Sequence, residues 1–252
     1  MHILIANDDG YDAPGLLILA NALKNQHHKV TIVAPRVNMS GCGMGISLRK
    51  SINVEEQSEG FFIVDGTPAD CVYLGLQNLA NEPIDMVVSG INNGPNLADD
   101  ILYSGTFAAA MEARHLRLPS IALSITQRDV QHYETAAYIA TALSNALPHL
   151  DYKSLISVLN VNIPDVPVAS LRGLKATVLG ERLEPLQPIE EGLAGSKRKF
   201  RLAPAGEFDR RKRSNMADFE AVDQGFVSVT PLSSKFEDRS YLQDTQAWLD
   251  TL

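Results

Sequence analysis

Short apolar runs alternate with longer segments of helical period through the first two-thirds of the chain. Residues 3–6, 30–34, 86–89, 120–125 and 156–160 are brief and nearly all apolar, which predicts strands, while residues 14–24, 68–79, 105–115 and 131–147 have the length and period of helices. The strand runs lack the apolar–polar alternation of a sheet wetted on one side, so their sheet is expected to be covered on both faces. Repetition of strand, helix, strand joins such strands in parallel. The pattern predicts a three-layer α/β/α fold around a mostly parallel, Rossmann-like sheet over about residues 1–170.

Local chemistry supports several boundaries. In Thr67-Pro68-Ala69-Asp70 a hydroxyl can cap free helix amides, proline suits the first turn, and an early carboxylate suits the positive end of the helix dipole. Pro14 is expected to open the first helix in the same way. Residues 46–65 set Ile46-Ser47-Leu48 and Phe61-Phe62-Ile63-Val64 on either side of a polar stretch, which reads as a β-hairpin insertion. From Gly173 onward proline, glycine and charge punctuate short β-like pieces. These end with a strand from Gly225 stopped by Pro231 and a last helix over residues 243–252. No repeat or boundary divides the chain, so a single domain over residues 1–252 is expected, with a β-rich C-terminal extension over about residues 171–252.

Composition excludes several classes. With 45% hydrophobic and 21% charged residues among 252, the chain has the balance of a globular protein, and its size suffices for a core without disulfides or structural metal. The net charge of -8 argues against stable duplex nucleic-acid binding, and no apolar run approaches membrane-spanning length. Met1 leads directly into the first strand without an export-signal pattern, and only Cys42 and Cys71 are present, so a cytoplasmic location is expected. Residues 196–214 carry Lys197, Arg198, Lys199, Arg201, Arg210, Arg211, Lys212 and Arg213 against Glu207 and Asp209. That basic stretch reads either as a solvated loop or as a contact for phosphate or an acidic subunit.

Three loops carry candidate chemistry. Asn7-Asp8-Asp9-Gly10 leaves the first strand, and adjacent carboxylates repel unless a cation joins them. A hard divalent ion, Mg²⁺ or Mn²⁺, is the simplest partner, since Zn²⁺ would favour His or Cys. The alternative is that Asp8 or Asp9 only shapes the turn or caps the helix. After the second strand, Ser40-Gly41-Cys42-Gly43-Met44-Gly45 offers a hydroxyl and backbone amides to an anion, or is a surface turn. It matches neither the dinucleotide fingerprint nor the P-loop. The third loop, Ser89-Gly90-Ile91-Asn92 through Asn96 to Ser104-Gly105-Thr106, is rich in amides and hydroxyls and enters a small-residue helix. Asn92 can offer a neutral oxygen to a cation and Asn96 can polarise a phosphoryl oxygen, while Ser104, Gly105 and Thr106 can hold phosphate at a helix start. N-capping and asparagine turns are the simpler alternative. All three loops leave strand ends, where open parallel sheets bind ligands.

Other chemistries lack residues. The six histidines lie outside these loops and are expected at the surface or at helix ends, and there is no G-x-S-x-G elbow, no C-x-x-C pair and no spaced D-x-D. Ser104 is the remaining candidate nucleophile, and the two cysteines read as small, partly buried side chains.

Taken in order, Asn7-Asp8-Asp9-Gly10 with Ala13-Pro14-Gly15, Val33-Ala34-Pro35 leading to Ser40-Gly41, Gly66-Thr67-Pro68-Ala69-Asp70, Ser89-Gly90-Ile91-Asn92 through Tyr103-Ser104-Gly105-Thr106, Ala217-Asp218-Phe219 and the closing strand to Leu232 resemble the SurE family of stationary-phase survival proteins, metal-dependent 5′/3′-nucleotidases. The resemblance implies one divalent ion per subunit, Mg²⁺ or Mn²⁺, held by Asp8, Asp9, Ser40 and Asn92. Around the scissile phosphate it implies Ser40, Gly41, Asn96, Ser104, Gly105 and Thr106, with Asp8, Asp9, Asn96 and Ser104 in catalysis. It implies hydrolysis of nucleoside 5′- and also 3′-monophosphates, and a homodimer or homotetramer built with extended arms. The chain departs from the family pattern at residues 199–206, where an aromatic, glycine-bearing segment is usual, and at residues 233–238, which replace the usual Asp-Leu-Thr. An N-ribosyl hydrolase and a non-catalytic nucleotide sensor are the competing readings.

Overall fold

The computed structural model describes residues 1–149, 156–194, 197–202, 206–211, 217–235 and 238–251. At the centre of a nine-stranded sheet lies β1 (His2–Ala6), with β2 (Lys29–Pro35) on one side and β5 (Met86–Asn93) on the other. Beyond β2 come β4 (Phe61–Val64) and the edge strand β3 (Val54–Ser58). Beyond β5 come β6 (Ser120–Ile125), β7 (Val158–Ile163), β11 (Val227–Leu232) and β8 (Leu174–Ala176). From β4 to β7 all neighbours run parallel, β11 returns antiparallel to β7, and β8 is parallel to β11. The predicted α/β/α layering with a mostly parallel sheet is therefore present, and β8 and β11 of the extension complete that sheet.

Side-chain alternation along β1 explains the two covered faces. Ile3 and Ile5 point into a core shared with α1 (Pro14–Asn25) and α4 (Tyr133–Ala146). Leu4 and Ala6 point the other way, toward α2 (Pro68–Leu74) and α3 (Gly105–Glu112). Every residue of β1, β6 and β7 is buried. The start of α2 is a full capping box: the Asp70 amide donates to Thr67 Oγ1 at 3.1 Å and the Thr67 amide to Asp70 Oδ2 at 2.9 Å, with Pro68 in the first turn. Pro14 opens α1, as its position predicts.

Several expectations need correction. The hairpin insertion exists, but its arms are β3 and β4. Residues 46–48 do not join it, because the backbone around them serves the α2 cap: Ser47 N–H donates to Asp70 Oδ1 and Gly45 carbonyl accepts from Thr67 Oγ1. β7 runs to Ile163 rather than ending at Asn160, because Asn160 and Asn162 are buried within it. β11 passes through Pro231 to Leu232. Its last bridge to β8 is at Val229, so the ring of Pro231 faces an unpaired edge and interrupts no ladder. His2 is buried in β1 and hydrogen-bonded to Thr31 rather than lying at the surface.

In the extension, β9 (Ile189–Ala194) and β10 (Lys197–Arg201) form a separate two-stranded ribbon. There the basic stretch is met by acid, Arg198 pairing with Glu190 and Arg201 with Glu191. Arg210 pairs with Asp223 and Arg211 with Asp209. α5 (Asp218–Asp223) precedes β11, and α6 (Leu242–Leu249) follows it. Lys212 and Arg213 of the basic stretch, residues 203–205 and 236–237 of the segments that depart from the family pattern, and Leu252 of the last predicted helix lie outside the described residues. Among the described residues no helix is long and apolar enough to cross a membrane.

Candidate active site

The strand order reverses across β1, since α1 carries the chain to β2 on one side while β5 lies on the other. At such a point the loops beyond the carboxyl ends of the strands diverge and leave a crevice. Here that crevice has a volume of about 710 Å³, and Asp8, Asp9, Ser40, Gly41, Asn92, Asn96 and Ser104 all line it. The loops are tied to one another by their backbones: Met39 N–H donates to Asp8 carbonyl at 2.7 Å, and Gly43 N–H to Tyr103 carbonyl at 3.1 Å.

Asp8 is 4% exposed and held from behind by the start of α3. Thr106 Oγ1 donates to Asp8 Oδ1 at 2.5 Å. Burial pushes the Asp8 carboxyl upward, opposed by that hydroxyl and by the backbone amides of Thr106 and Gly105. Thr106 is fully buried and, with Gly105, sits behind Asp8 rather than on the cleft wall. A Cβ on Gly105 would stand 2.7 Å from Asp8 Cβ, so only glycine allows the helix start this close. Ser104 caps α3 by accepting the Phe107 amide at 3.0 Å, and its hydroxyl hydrogen is left for the cleft.

Asp9 is half-buried, accepting the Asn93 amide at 3.2 Å and Asn38 Nδ2 at 3.4 Å. Its carboxyl is pushed up to about 6, first by burial and then by the charge of Asp8. No cation among the described residues pairs with either aspartate. Asn92 is brought to the cleft by a bulge in β5, where the four residues from Ser89 to Asn92 lie opposite only three of β6, Ala122 to Ser124. Its Nδ2 donates to Gly94 carbonyl at 2.8 Å, which leaves Oδ1 as an acceptor with no donor among the described residues. Two unneutralised carboxylates, an amide oxygen and the exposed Ser40 hydroxyl make an all-oxygen set suited to a hard divalent ion. Among the described residues, no three His, Cys, Asp or Glu side chains gather as a metal cluster, so neutral oxygens would have to complete the coordination.

Asn96 is hydrogen-bonded to β6 and β7. Its amide donates to Asn162 Oδ1 at 2.8 Å, its carbonyl accepts from Asn160 and Asn162, and its Nδ2 donates to Ser124 Oγ at 2.8 Å, leaving one side-chain N–H over. Sequence reasoning missed these supports, although two asparagines inside an otherwise apolar strand were a visible signal. It also missed Asn38, Asn93, Arg128 and Arg182. Arg182 reaches the cleft from the extension, its Nε and Nη2 on the two oxygens of Asp100 at 2.7 and 2.5 Å. Arg128, on the loop after β6, is exposed and makes no hydrogen bond or ion pair with a described residue, so it gives the cleft a free guanidinium.

The family model described as survival protein SurE matches residues 3–184. The chain belongs to the SurE family. A protein named 5′-nucleotidase SurE from Pseudomonas fluorescens is 42% identical over 252 residues, covering 100% of both chains. A second of that name from Legionella pneumophila is 45% identical over 238 residues, covering 92% of this chain and 90% of that protein. The crystal structure of the SurE protein from Aquifex aeolicus has the same fold, with a TM-score of 0.86 at 35% identity, covering 99% of this chain and 100% of that one. The SurE match includes all three loops that meet in the cleft, and it ends just past Arg182.

Proposed function

We propose that this protein is a metal-dependent phosphomonoesterase that hydrolyses nucleoside 5′-monophosphates, and 3′-monophosphates as well, to nucleoside and phosphate. The observation that carries the reading is the meeting, in one cleft, of an unneutralised aspartate pair with the capped start of α3. Full-length relatives named 5′-nucleotidase SurE support it.

Asp8, Asp9, Ser40 and Asn92 would hold one divalent cation, Mg²⁺ or Mn²⁺, per subunit. When bound, that ion supplies Lewis-acid polarisation of phosphoryl oxygen and lowers the pKa of water. The chain's own groups bind and orient the ester. Ser104 directs its hydroxyl at a phosphoryl oxygen, and Asn96 directs the N–H left over from its bond to Ser124. Both are rigid donors, so they stabilise developing charge with little reorganisation. Gly41 and Ser40 border the same space and add a backbone amide and a hydroxyl to the phosphate cradle. Thr106 and the Gly105 amide act through Asp8, whose orientation they fix. In this reading Asp9 accepts the proton of the attacking water rather than Asp8, because it is the more accessible carboxylate. A homodimer or homotetramer joined through the extension, and a cytoplasmic location, belong to the same proposal.

The test is inorganic phosphate release from nucleoside 5′- and 3′-monophosphates with Mg²⁺, Mn²⁺ or chelator. Release that chelator and Asp9→Asn both abolish is expected. Free base and ribose 5-phosphate in place of phosphate would move the assignment to an N-ribosyl hydrolase, and tight nucleotide binding with no product to a sensor.

A further inference from the structure

The C-terminal extension grips the segment that follows Asn96 one residue at a time. Leu97 packs with Ala217 and Phe219. The Ala98 amide donates to Asp218 Oδ2 at 2.8 Å. Asp99 Oδ2 accepts the Arg182 amide at 3.0 Å, and Asp100 takes the Arg182 guanidinium through both oxygens. The guanidinium itself lies over the Phe208 ring, which stacks on Phe219.

Asp218 is the centre of this grip. It is fully buried, and its carboxylate accepts three backbone amides: Ala98, Gly180 at 3.0 Å and Phe219 at 2.8 Å. Ala98 has φ +53°, in the left-handed region that residues with a Cβ rarely occupy, and it is completely buried. An alanine stays in that region only where its surroundings over-determine it. The carboxylate on its amide is one such constraint, and it lies two residues from Asn96.

We propose that Asp218 is a positioning residue for phosphoester hydrolysis: by holding the Ala98 amide, it fixes residues 96–100 and so the aim of the Asn96 side chain. The proposal rests on the nucleotidase reading of the cleft. On this view the extension belongs to the active site as well as to the sheet. Its effect falls on the transferring group rather than on ground-state binding, because Asn96 is a donor to that group.

Asp218→Asn keeps the size but turns an amide donor toward backbone N–H groups that need acceptors. The expected result is a kcat at least tenfold lower with KM within threefold, and faster hydrogen exchange at residues 97–100 with β1 unchanged. Ala98→Gly placed in the Asp218→Asn background should raise kcat at least threefold, because glycine adopts the left-handed conformation without an anchor. A purely structural acid would give no such rescue. If Asp218→Asn does not fold, Asp218→Ser, which brings no amide donor against Ala98, carries the same expectations. Wild-type kcat in a folded Asp218 variant, or a loss of kcat that Ala98→Gly leaves untouched, overturns the proposal. Absence of phosphate release from the wild-type chain overturns instead the nucleotidase reading on which it rests.

Discussion

Gly105→Ala isolates the contact between the α3 start and Asp8. Gly105 is helical, so alanine meets no backbone strain there, and by intrinsic propensity it would favour the helix by up to ~1 kcal/mol. The whole penalty is steric. The new Cβ would lie 2.7 Å from Asp8 Cβ, 2.9 Å from Oδ2 and 3.1 Å from Cγ. Ordinary carbon contacts need about 3.5–4.0 Å, so Asp8 must retreat by about 1 Å. Retreat breaks the 2.5 Å bond from Thr106. Misplacement of a reacting constellation by that distance costs about 10²-fold in rate, or ~2.7 kcal/mol of transition-state stabilisation. Overpacking costs roughly 1–3 kcal/mol of stability, partly offset by propensity, so Tm should fall by only about 2–6 °C in a protein of this size. The assay is kcat/KM for nucleoside monophosphate hydrolysis beside a thermal melt. A folded Gly105→Ala enzyme with kcat/KM within threefold of wild type would refute the claim that this close approach sets the position of Asp8.

Two further expectations concern charge. Asp9 titrates at about 6 when folded, above its ordinary 3.8, so between those values the folded chain holds a proton that the unfolded chain releases. Metal-free protein should therefore gain stability as pH falls from about 7 to about 4; the two-unit shift corresponds to ~3 kcal/mol, discounted to ~1–2 kcal/mol for partial solvent exposure. Melts in chelator should show Tm rising toward pH 5 and a flatter dependence for Asp9→Asn, with Asp8 supplying the remainder; a Tm that falls over this range contradicts the account of a carboxyl raised by burial and by the charge of Asp8. Arg128→Gln removes the free guanidinium, and loss of a charged hydrogen bond of ~1.5–3 kcal/mol should raise KM for nucleotides about tenfold or more. Tm should not move, since Arg128 has no described partner to lose; an unchanged KM would show that it does not meet substrate.

The alternation of apolar runs with helical segments determined the layers, because a strand covered on both faces is apolar on both, and β1 and β6 follow from that alone, whereas β5 runs past its apolar stretch over residues 86–89 to Asn93. Helix starts were equally local: Thr67, Pro68 and Asp70 contain the whole capping box. Asp8, Asp9, Asn92 and Ser104 were legible as candidates because adjacent acids and clustered amides need partners that the loops do not themselves supply. Tertiary structure alone decided the rest. Residues 46–48 look like a hairpin arm but serve the α2 cap. Asn160 and Asn162 look like the end of a strand, yet lie inside it because residue 96 supplies their partners from 64 or more positions away. Thr106 reads as a phosphate contact, but the structure turns it onto Asp8. Arg182 carries no signal of its own and Asp218 only its place in the family-like stretch Ala217-Asp218-Phe219, since what each does depends on which backbone amide or carboxylate folding brings against it. Hydrophobic period and capping act over a few residues and are written in sequence, whereas the pairing of buried polar groups is settled by contacts between distant segments that only the assembled sheet creates.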